Sequence, residues 1–188
     1  EFRSAPSVNV SEFSTVAPRS ESVDVAEDAP RMAIAEAVGS GGQFDVELVG
    51  NVIQIRDGSG LIERCPECGR VVQNGQCRSH GAVEGEDDLR TKAILDDGTA
   101  TVTVILDDEL TERVYGGGLE DAREHARDEM DKGVVADRIA GRVVGREYVV
   151  RGSLSVDEYG ANLNASEFDE STDDPATRAT ALLSEGQS

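Results

Sequence analysis

The chain's three cysteines and one of its two histidines fall between positions 65 and 80. They form two knuckles, Cys65-Pro66-Glu67-Cys68 and Cys77-Arg78-Ser79-His80, followed by Gly69 and Gly81. Three thiolates and one imidazole are the donor set that tetrahedral zinc takes. A glycine after each knuckle lets the backbone turn tightly enough for both ligands to face one ion. Asn74-Gly75, near the end of the intervening stretch, is a hairpin-type turn that folds the second knuckle back onto the first. Two disulfides would need a fourth cysteine, and a reactive thiol leaves the doubled spacing unexplained. The expectation is one Zn²⁺ held by Cys65, Cys68, Cys77 and His80. Four protein ligands close its shell, so the ion supports structure and does no chemistry.

The elements around the knuckles alternate with the period of strands. Phe44, Val46 and Leu48 read as one buried face and Val49, Ile53 and Ile55 as the other, with a switch at Gly50 where a strand can kink or bulge. Leu89, Thr91, Ala93 and Leu95 make a second strand, and Asp97-Gly98 turns it into Ala100, Val102, Val104 and Leu106. Two helical stretches follow, 108–115 and 119–132; the second carries the stripe Leu119, Ala122, Ala126 and Met130. Tyr148, Val150, Leu154 and Val156 form a fourth strand, residues 157–160 a turn, and residues 163–168 a fifth strand. This order predicts a mainly β fold: a five-stranded Greek-key OB barrel, a zinc ribbon inserted between strands 1 and 2, and helices between strands 3 and 4.

A repeat sets the domain reading. Asn9-Val10-Ser11-Glu12-Phe13 is echoed by Asn164-Ala165-Ser166-Glu167-Phe168. Residues 1–16 therefore read as the last strand of a preceding OB domain, unless so short a match is chance. Residues 17–38 read as a linker and short helix, 39–170 as the zinc-containing OB-fold domain, and 171–188 as a tail with helix-start signals.

Charge bounds the setting. Against 38 acidic residues stand 18 basic ones, a formal net of −20, and only Lys92 and Lys132 are lysines. Acidic excess with scarce lysine suits a halophilic cytoplasm, where the Debye length falls to roughly 3 Å and self-repulsion costs little. The alternative, an acidic disordered chain, conflicts with the alternating apolar runs. No signal peptide and no long apolar run are present, which predicts a soluble cytoplasmic protein without a membrane partner. The lack of an initiator Met suggests a fragment of something longer.

The segments 61–68, 77–81 and 89–95, with Val144-Gly145-Arg146-Glu147-Tyr148 and Asp157-Glu158-Tyr159-Gly160, resemble the zinc-containing OB domain of archaeal replication protein A, with a haloarchaeal composition. The resemblance covers about residues 39–170. It implies a single-stranded DNA-binding module of replication, repair and recombination. It also implies replication or repair partner proteins, or an associated subunit.

OB folds carry a single strand across their second and third strands and the flanking loops. On that outer face the sequence puts Arg90, Lys92, Thr101 and Thr103, with Arg64 and Arg70 beside the ribbon. The competing reading pairs Arg90 and Lys92 with Glu84, Glu86, Asp87 and Asp88. Tyr159 either stacks on a base or closes its hairpin. Arg142, Arg146 and Arg151 either line the groove edge or stand solvated at strand ends. Hydrolase elbows, metalloprotease helices and phosphate loops are absent from the sequence, so an enzyme is not expected. Two functions remain: single-strand binding, or an assembly module that docks partner subunits with little DNA contact of its own.

Overall fold

The computed structural model describes residues 29–172. The strand expected at 9–13, most of the linker, and the tail helix lie outside them. The elements are α1 (Ile34–Gly39), β1 (Gly42–Ile55), β2 (Gly60–Arg64), β3 (Val71–Val72), β4 (Gln76–Cys77), β5 (Gly81–Ala82), β6 (Glu86–Asp96), β7 (Thr101–Leu106), α2 (Asp108–Tyr115), α3 (Leu119–Asp128), α4 (Gly133–Val143), β8 (Glu147–Asp157) and β9 (Gly160–Glu170).

The fold is mainly β, and its large sheet closes like a barrel. Strands run in the order β1-β8-β9-β7-β6, with β2 and β3 continuing beyond β6, and β1 also pairs with β6. All these pairings are antiparallel except β7 with β9. Closure depends on β1, which pairs with β8 up to Asn51 and with β6 from Asn51 onward. Gly50 sits at this handover. A Cβ there would stand 2.7 Å from the Asp96 carbonyl oxygen, so only glycine admits the close approach.

The inside-outside parity of β1 departs from the expectation. The buried residues are Val46, Leu48, Gly50 and Val52 without interruption, while Phe44 and Ile53 are 71% and 50% exposed. Parity changes at Ile53, where a bulge in the pairing with β6 leaves one extra residue. Ile55 then returns to the core, and Gln54 and Arg56 turn outward. The switch therefore lies three residues beyond Gly50. A bulge adds a residue to one strand only, so it reverses which side chains face in.

The barrel interior follows the alternation in β6, β7 and β8, with Leu89, Ala93 and Leu95, then Val102, Val104 and Leu106, then Val150 and Leu154. β9 adds Leu163 and Phe168, which have opposite parity because a register shift against β8 leaves Ser166 as an extra residue between them. Tyr148 stacks on Phe168 at 4.2 Å between ring centroids. Buried Thr91 is satisfied by the Thr111 hydroxyl at 3.3 Å.

The connection from β7 to β8 contains three helices, one more than expected. α2 begins at Asp107, whose carboxylate accepts from the Leu110 amide, and ends at left-handed Gly116. α3 stops at Asp128, short of Lys132. Met130 adopts φ 53°, its amide donates to Arg127 and the Asp131 amide donates to Ala126. This is a Schellman ending, and it leaves Met130 92% exposed instead of continuing the stripe. α4 buries Val135, Ile139 and Val143 against β1 and β2.

α1 covers part of the barrel with Ile34 and Ala37, both buried. Its Ile34 amide donates to Asp97 Oδ2 at 2.8 Å, and Thr99 donates to the other carboxylate oxygen. Burial opposes ionisation of Asp97, but the donors at Thr99, Ile34 and Ala100 outweigh it and hold the pKa below the ordinary value. A depressed pKa gives stability that is present above the unfolded value, about 3.9, and is lost as pH falls through the folded one. Asp97→Asn is therefore expected to flatten the acid limb of a melting-temperature profile. Asp97→Ala should cost about 1 kcal/mol at neutral pH, the worth of a typical cap.

Candidate metal centre and nucleic-acid face

The ribbon is built onto the end of β2, which pairs along its length with residues 86–90 of β6. Cys65 follows directly, and the first knuckle closes with Cys65 N–H donating to Arg70 O and Gly69 N–H to Cys65 O, both at 2.8 Å. Gln73 and Gln76 exchange two backbone hydrogen bonds at 3.0 Å across Asn74 and Gly75, which have φ of 51° and 70°. Two consecutive positive φ values match the primed hairpin turn expected from Asn-Gly. The turn brings Cys77 to the first knuckle, and the β4–β5 pairing brings His80.

The four side chains converge. Their ligand atoms all lie within 4.8 Å of one another, with Cys65 and Cys77 buried and Cys68 and His80 at the surface. His80 Nδ1 stands 3.3 Å from Cys65 Sγ and 3.8 Å from Cys77 Sγ, and Cys68 and Cys77 Sγ are 3.6 Å apart. Metal–sulfur bonds of about 2.3 Å and metal–nitrogen bonds of about 2.0–2.1 Å in a tetrahedron put such atoms roughly 3.5–3.8 Å apart. The cluster can hold a metal ion. The Ser79 amide, opposed by burial and reinforced by the His80 amide, draws the Cys77 thiol down to about 6. With Nδ1 turned to the sulfurs, His80 Nε2 faces the exposed Glu67 carboxylate at 3.7 Å, on the side where an outer partner of a metal-bound imidazole stands.

A second arrangement lies on the outer face of β6 and β7. One hollow of about 570 Å³ is lined by Gln54, Arg56, Asp57, Lys92, Ile94, Thr103, Ile105 and Asn162. A neighbouring one of about 470 Å³ shares Asp57 and Lys92 and runs past Gly58 and Arg90 to Val71 and Asn74 at the ribbon. Together they make a groove from β9 to the ribbon.

Three cations face it without a carboxylate partner. Arg56 donates to the Thr103 hydroxyl at 3.2 Å and Arg90 to Gly58 O at 2.9 Å. No ion pair involves Arg56, Arg90 or Lys92 among the described residues. Two acids close to them in sequence pair elsewhere, Asp88 with Arg64 and Asp87 with Arg123 at 2.9 Å and Lys132 at 3.6 Å, while Asp57 lines both hollows without forming an ion pair among the described residues. Burial, followed by the proximity of Arg64 and partly offset by Asp88, lowers the Arg90 pKa below its ordinary value. Burial lowers that of Lys92 too, followed by Arg90 and Arg56. Desolvated cations that repel one another are stabilised by an anion between them.

The remaining residues named from the sequence are dispersed. Arg64 sits at the ribbon base, donating to Gly69 O at 3.1 Å as well as pairing with Asp88. Arg70 bonds the Ser79 hydroxyl. Thr101 is exposed at the start of β7. Tyr159 is 87% exposed in the β8–β9 turn, three residues from Asn162, and lines neither hollow. Arg142 reaches Val114 O, Arg146 pairs with Glu170 at 3.1 Å and Arg151 clasps Asp45 at 2.6 and 3.0 Å. None of those three lines the groove. Sequence reading missed Arg56, Gln54 and Asn162, which become visible only once the bulge at Ile53 and the β7–β9 register are known.

Among the described residues no helix is long and apolar enough to cross a membrane. No protein-family model and no curated protein matches the sequence. Solved structures do. A replication protein A heterotrimer bound to ssDNA superposes with a TM-score of 0.53 at 14% identity, over 84% of this chain and 39% of that one. Yeast RPA bound to ssDNA superposes with a TM-score of 0.51 at 15% identity, over 85% of this chain and 98% of that one. This chain thus spans well under half the length of the first of these matches. At such identities the likeness establishes a shared fold: this mainly β, barrel-like chain has the architecture of a domain found in replication protein A.

Proposed function

We propose that this chain is a single-stranded DNA-binding module. It is a five-stranded OB barrel carrying a structural zinc ribbon between its first two barrel strands, which are β1 and β6. The observation that carries this reading is the groove. On a chain of net charge −20, Arg56, Arg90 and Lys92 face one channel without a carboxylate partner. Acid-rich surfaces ordinarily neutralise their few cations, and leaving three unpaired has a purpose if phosphates complete them. The channel crosses the strands that hold a single strand in OB proteins. Structures of the same fold that are bound to ssDNA support the ligand class.

In this reading Arg56, Arg90 and Lys92 contact phosphates, and Arg70 extends the positive track onto the ribbon, with Arg64, paired with Asp88, at the ribbon's base. Tyr159, exposed beyond the Thr101 end of the groove, offers a stacking face. Cys65, Cys68, Cys77 and His80 hold Zn²⁺, which shapes the ribbon wall.

The test is anisotropy titration of single-stranded DNA, duplex DNA and RNA across potassium chloride concentrations up to the molar range. Single strands are expected to bind best. The net charge repels DNA when screening is weak, so affinity should hold or rise as salt climbs, unlike ordinary phosphate binding. Against that background Lys92→Ala should remove about 0.7 log units of salt slope, the share of one neutralised phosphate on a single strand. Tyr159→Ala should cost about 1–3 kcal/mol of binding without moving the melting temperature. Absence of single-strand binding at every salt concentration, or full affinity after replacing all three groove cations by Ala, would overturn the reading in favour of an assembly module.

A further inference from the structure

Two carboxylates line the groove beside its cations, Asp57 and Glu63. Glu63 is held by Lys132 at 2.6 Å. Asp57 makes no ion pair and no side-chain hydrogen bond among the described residues, although arginines flank its loop. Arg56 is turned to the Thr103 hydroxyl and Arg90 to Gly58 O. Along the channel Arg56 lines one hollow and Arg90 the other, whereas Asp57 and Lys92 line both. Asp57 therefore stands at the junction, opposing the charge of Lys92.

The loop that presents it is pinned. The Arg56 amide donates to Lys92 O at 2.8 Å, and the Ser59 hydroxyl donates to Arg56 O at 2.7 Å. That hydroxyl also accepts from the Lys92 amide at 2.9 Å. Gly58 O accepts from Nε and Nη2 of Arg90 at 3.3 and 2.9 Å. Gly58 has a φ of 76°, and a Cβ there would stand 3.2 Å from the same guanidinium. Asp57 is thus an anion fixed in place by a backbone that its own side chain does nothing to hold.

We infer that Asp57 is a negative determinant for the bound strand: it keeps phosphates out of the junction except along Lys92. The inference rests on the single-strand reading of the groove, and it assigns the weak binding at low salt to one residue rather than to net charge alone. In the empty groove Asp57 touches no cation, so its charge is left to act on what enters. A phosphate about 4 Å away in water-like surroundings would lose roughly fivefold in affinity. At molar salt the Debye length is about 3 Å, and repulsion across an exposed groove is largely screened. Direct contacts from the half-buried Arg90 and Lys92 are screened less.

The test is an anisotropy titration of a labelled oligothymidylate with the full chain as wild type, Asp57→Asn and Glu124→Gln. Potassium chloride runs from the lowest concentration at which all three stay folded up to the molar range. Each variant removes one negative charge. Glu124 is exposed on α3 and lines neither hollow, so its variant reports the effect of net charge. Neither carboxylate has a hydrogen bond or ion pair among the described residues, so both variants should melt with the wild type. Asp57→Asn is expected to bind roughly fivefold more tightly than wild type at the lowest salt and within about twofold of it at molar salt. Glu124→Gln should stay within about twofold of wild type throughout. Equal responses of the two variants would overturn the inference and leave single-strand binding intact. Weaker binding by Asp57→Asn would overturn it too, because the carboxylate would then be a contact to the strand. So would a gain that persists undiminished at molar salt, since screened repulsion cannot be its source. If no protein binds the oligonucleotide at any salt concentration, the single-strand reading fails and takes this inference with it.

Discussion

Cys68→Ser protein is expected to lose its metal and its ribbon while keeping its barrel. The two parts have separate cores. Cys65, Val72 and Cys77, with Val83 packed beside them, form a cluster of their own, apart from the barrel interior. So small a cluster cannot hold its backbone without a metal or cross-link. A bound metal ion is able to supply the missing free energy, as structural zinc does in isolated fingers, on the order of 10–16 kcal/mol. Cys68 is exposed, so its replacement removes a ligand without leaving a cavity in the barrel. Elemental analysis should fall from one zinc per chain to a small fraction of that. Hydrogen exchange should accelerate at the amides of Cys65, Gln73 and Gln76, whose partners lie within the ribbon. The amides of β8 and β9 should remain protected. A variant that keeps its zinc, or whose ribbon amides exchange at the wild-type rate after metal loss, contradicts this account.

Gly152→Ala is expected to be the more damaging change for the barrel itself. Gly152 lies in β8 between β1 and β9, opposite Val46 and Ala165, and the register shifts beside it in both pairings. A Cβ there would stand 2.1 Å from the Asn164 carbonyl oxygen and 2.9 Å from Ala165 Cα. Both are backbone atoms, so no side chain can swing aside and a strand must move. Overpacking of this kind costs about 1–3 kcal/mol or more. Each kcal/mol lowers the midpoint of a chain this size by roughly 2–4 °C. Gly141→Ala is the control. It lies on the exposed side of α4 with nothing within 4 Å of the added methyl, and should stabilise by about 0.5–1 kcal/mol. Thermal melts of both variants at one salt concentration give the comparison. Equal shifts would mean that the close approach at Gly152 is not what that position requires.

What the sequence determined by itself was local. The Cys and His spacing, with Asn74-Gly75 between the knuckles, was enough to bring four ligands together, because each step is a turn of a few residues. Period-two alternation placed β6, β7, β8 and β9 within a few residues of their ends, since β6, β7 and β8 are regular along their inward faces and β9 is so up to its bulge at Ser166. α2 was read to the residue because Asp107 and Gly116 mark its ends with side-chain and backbone chemistry. α4 escaped because Val134, Val135, Val143 and two glycines dilute the helical signal. It is helical because Val135, Ile139 and Val143 find an apolar surface on β1 and β2.

Tertiary structure alone decided the face of the groove. The bulge at Ile53 leaves no mark in composition, yet it inverts the end of β1 and turns Gln54 and Arg56 toward the channel. Asn162 joins them through a parallel pairing between strands more than fifty residues apart, which no local pattern encodes. The state of each cation was likewise a question of distance. Asp87 and Asp88 are near Arg90 and Lys92 in sequence but are drawn to Arg64, Arg123 and Lys132 in space. Charge pairing follows distances of a few ångströms, and the fold alone sets those distances.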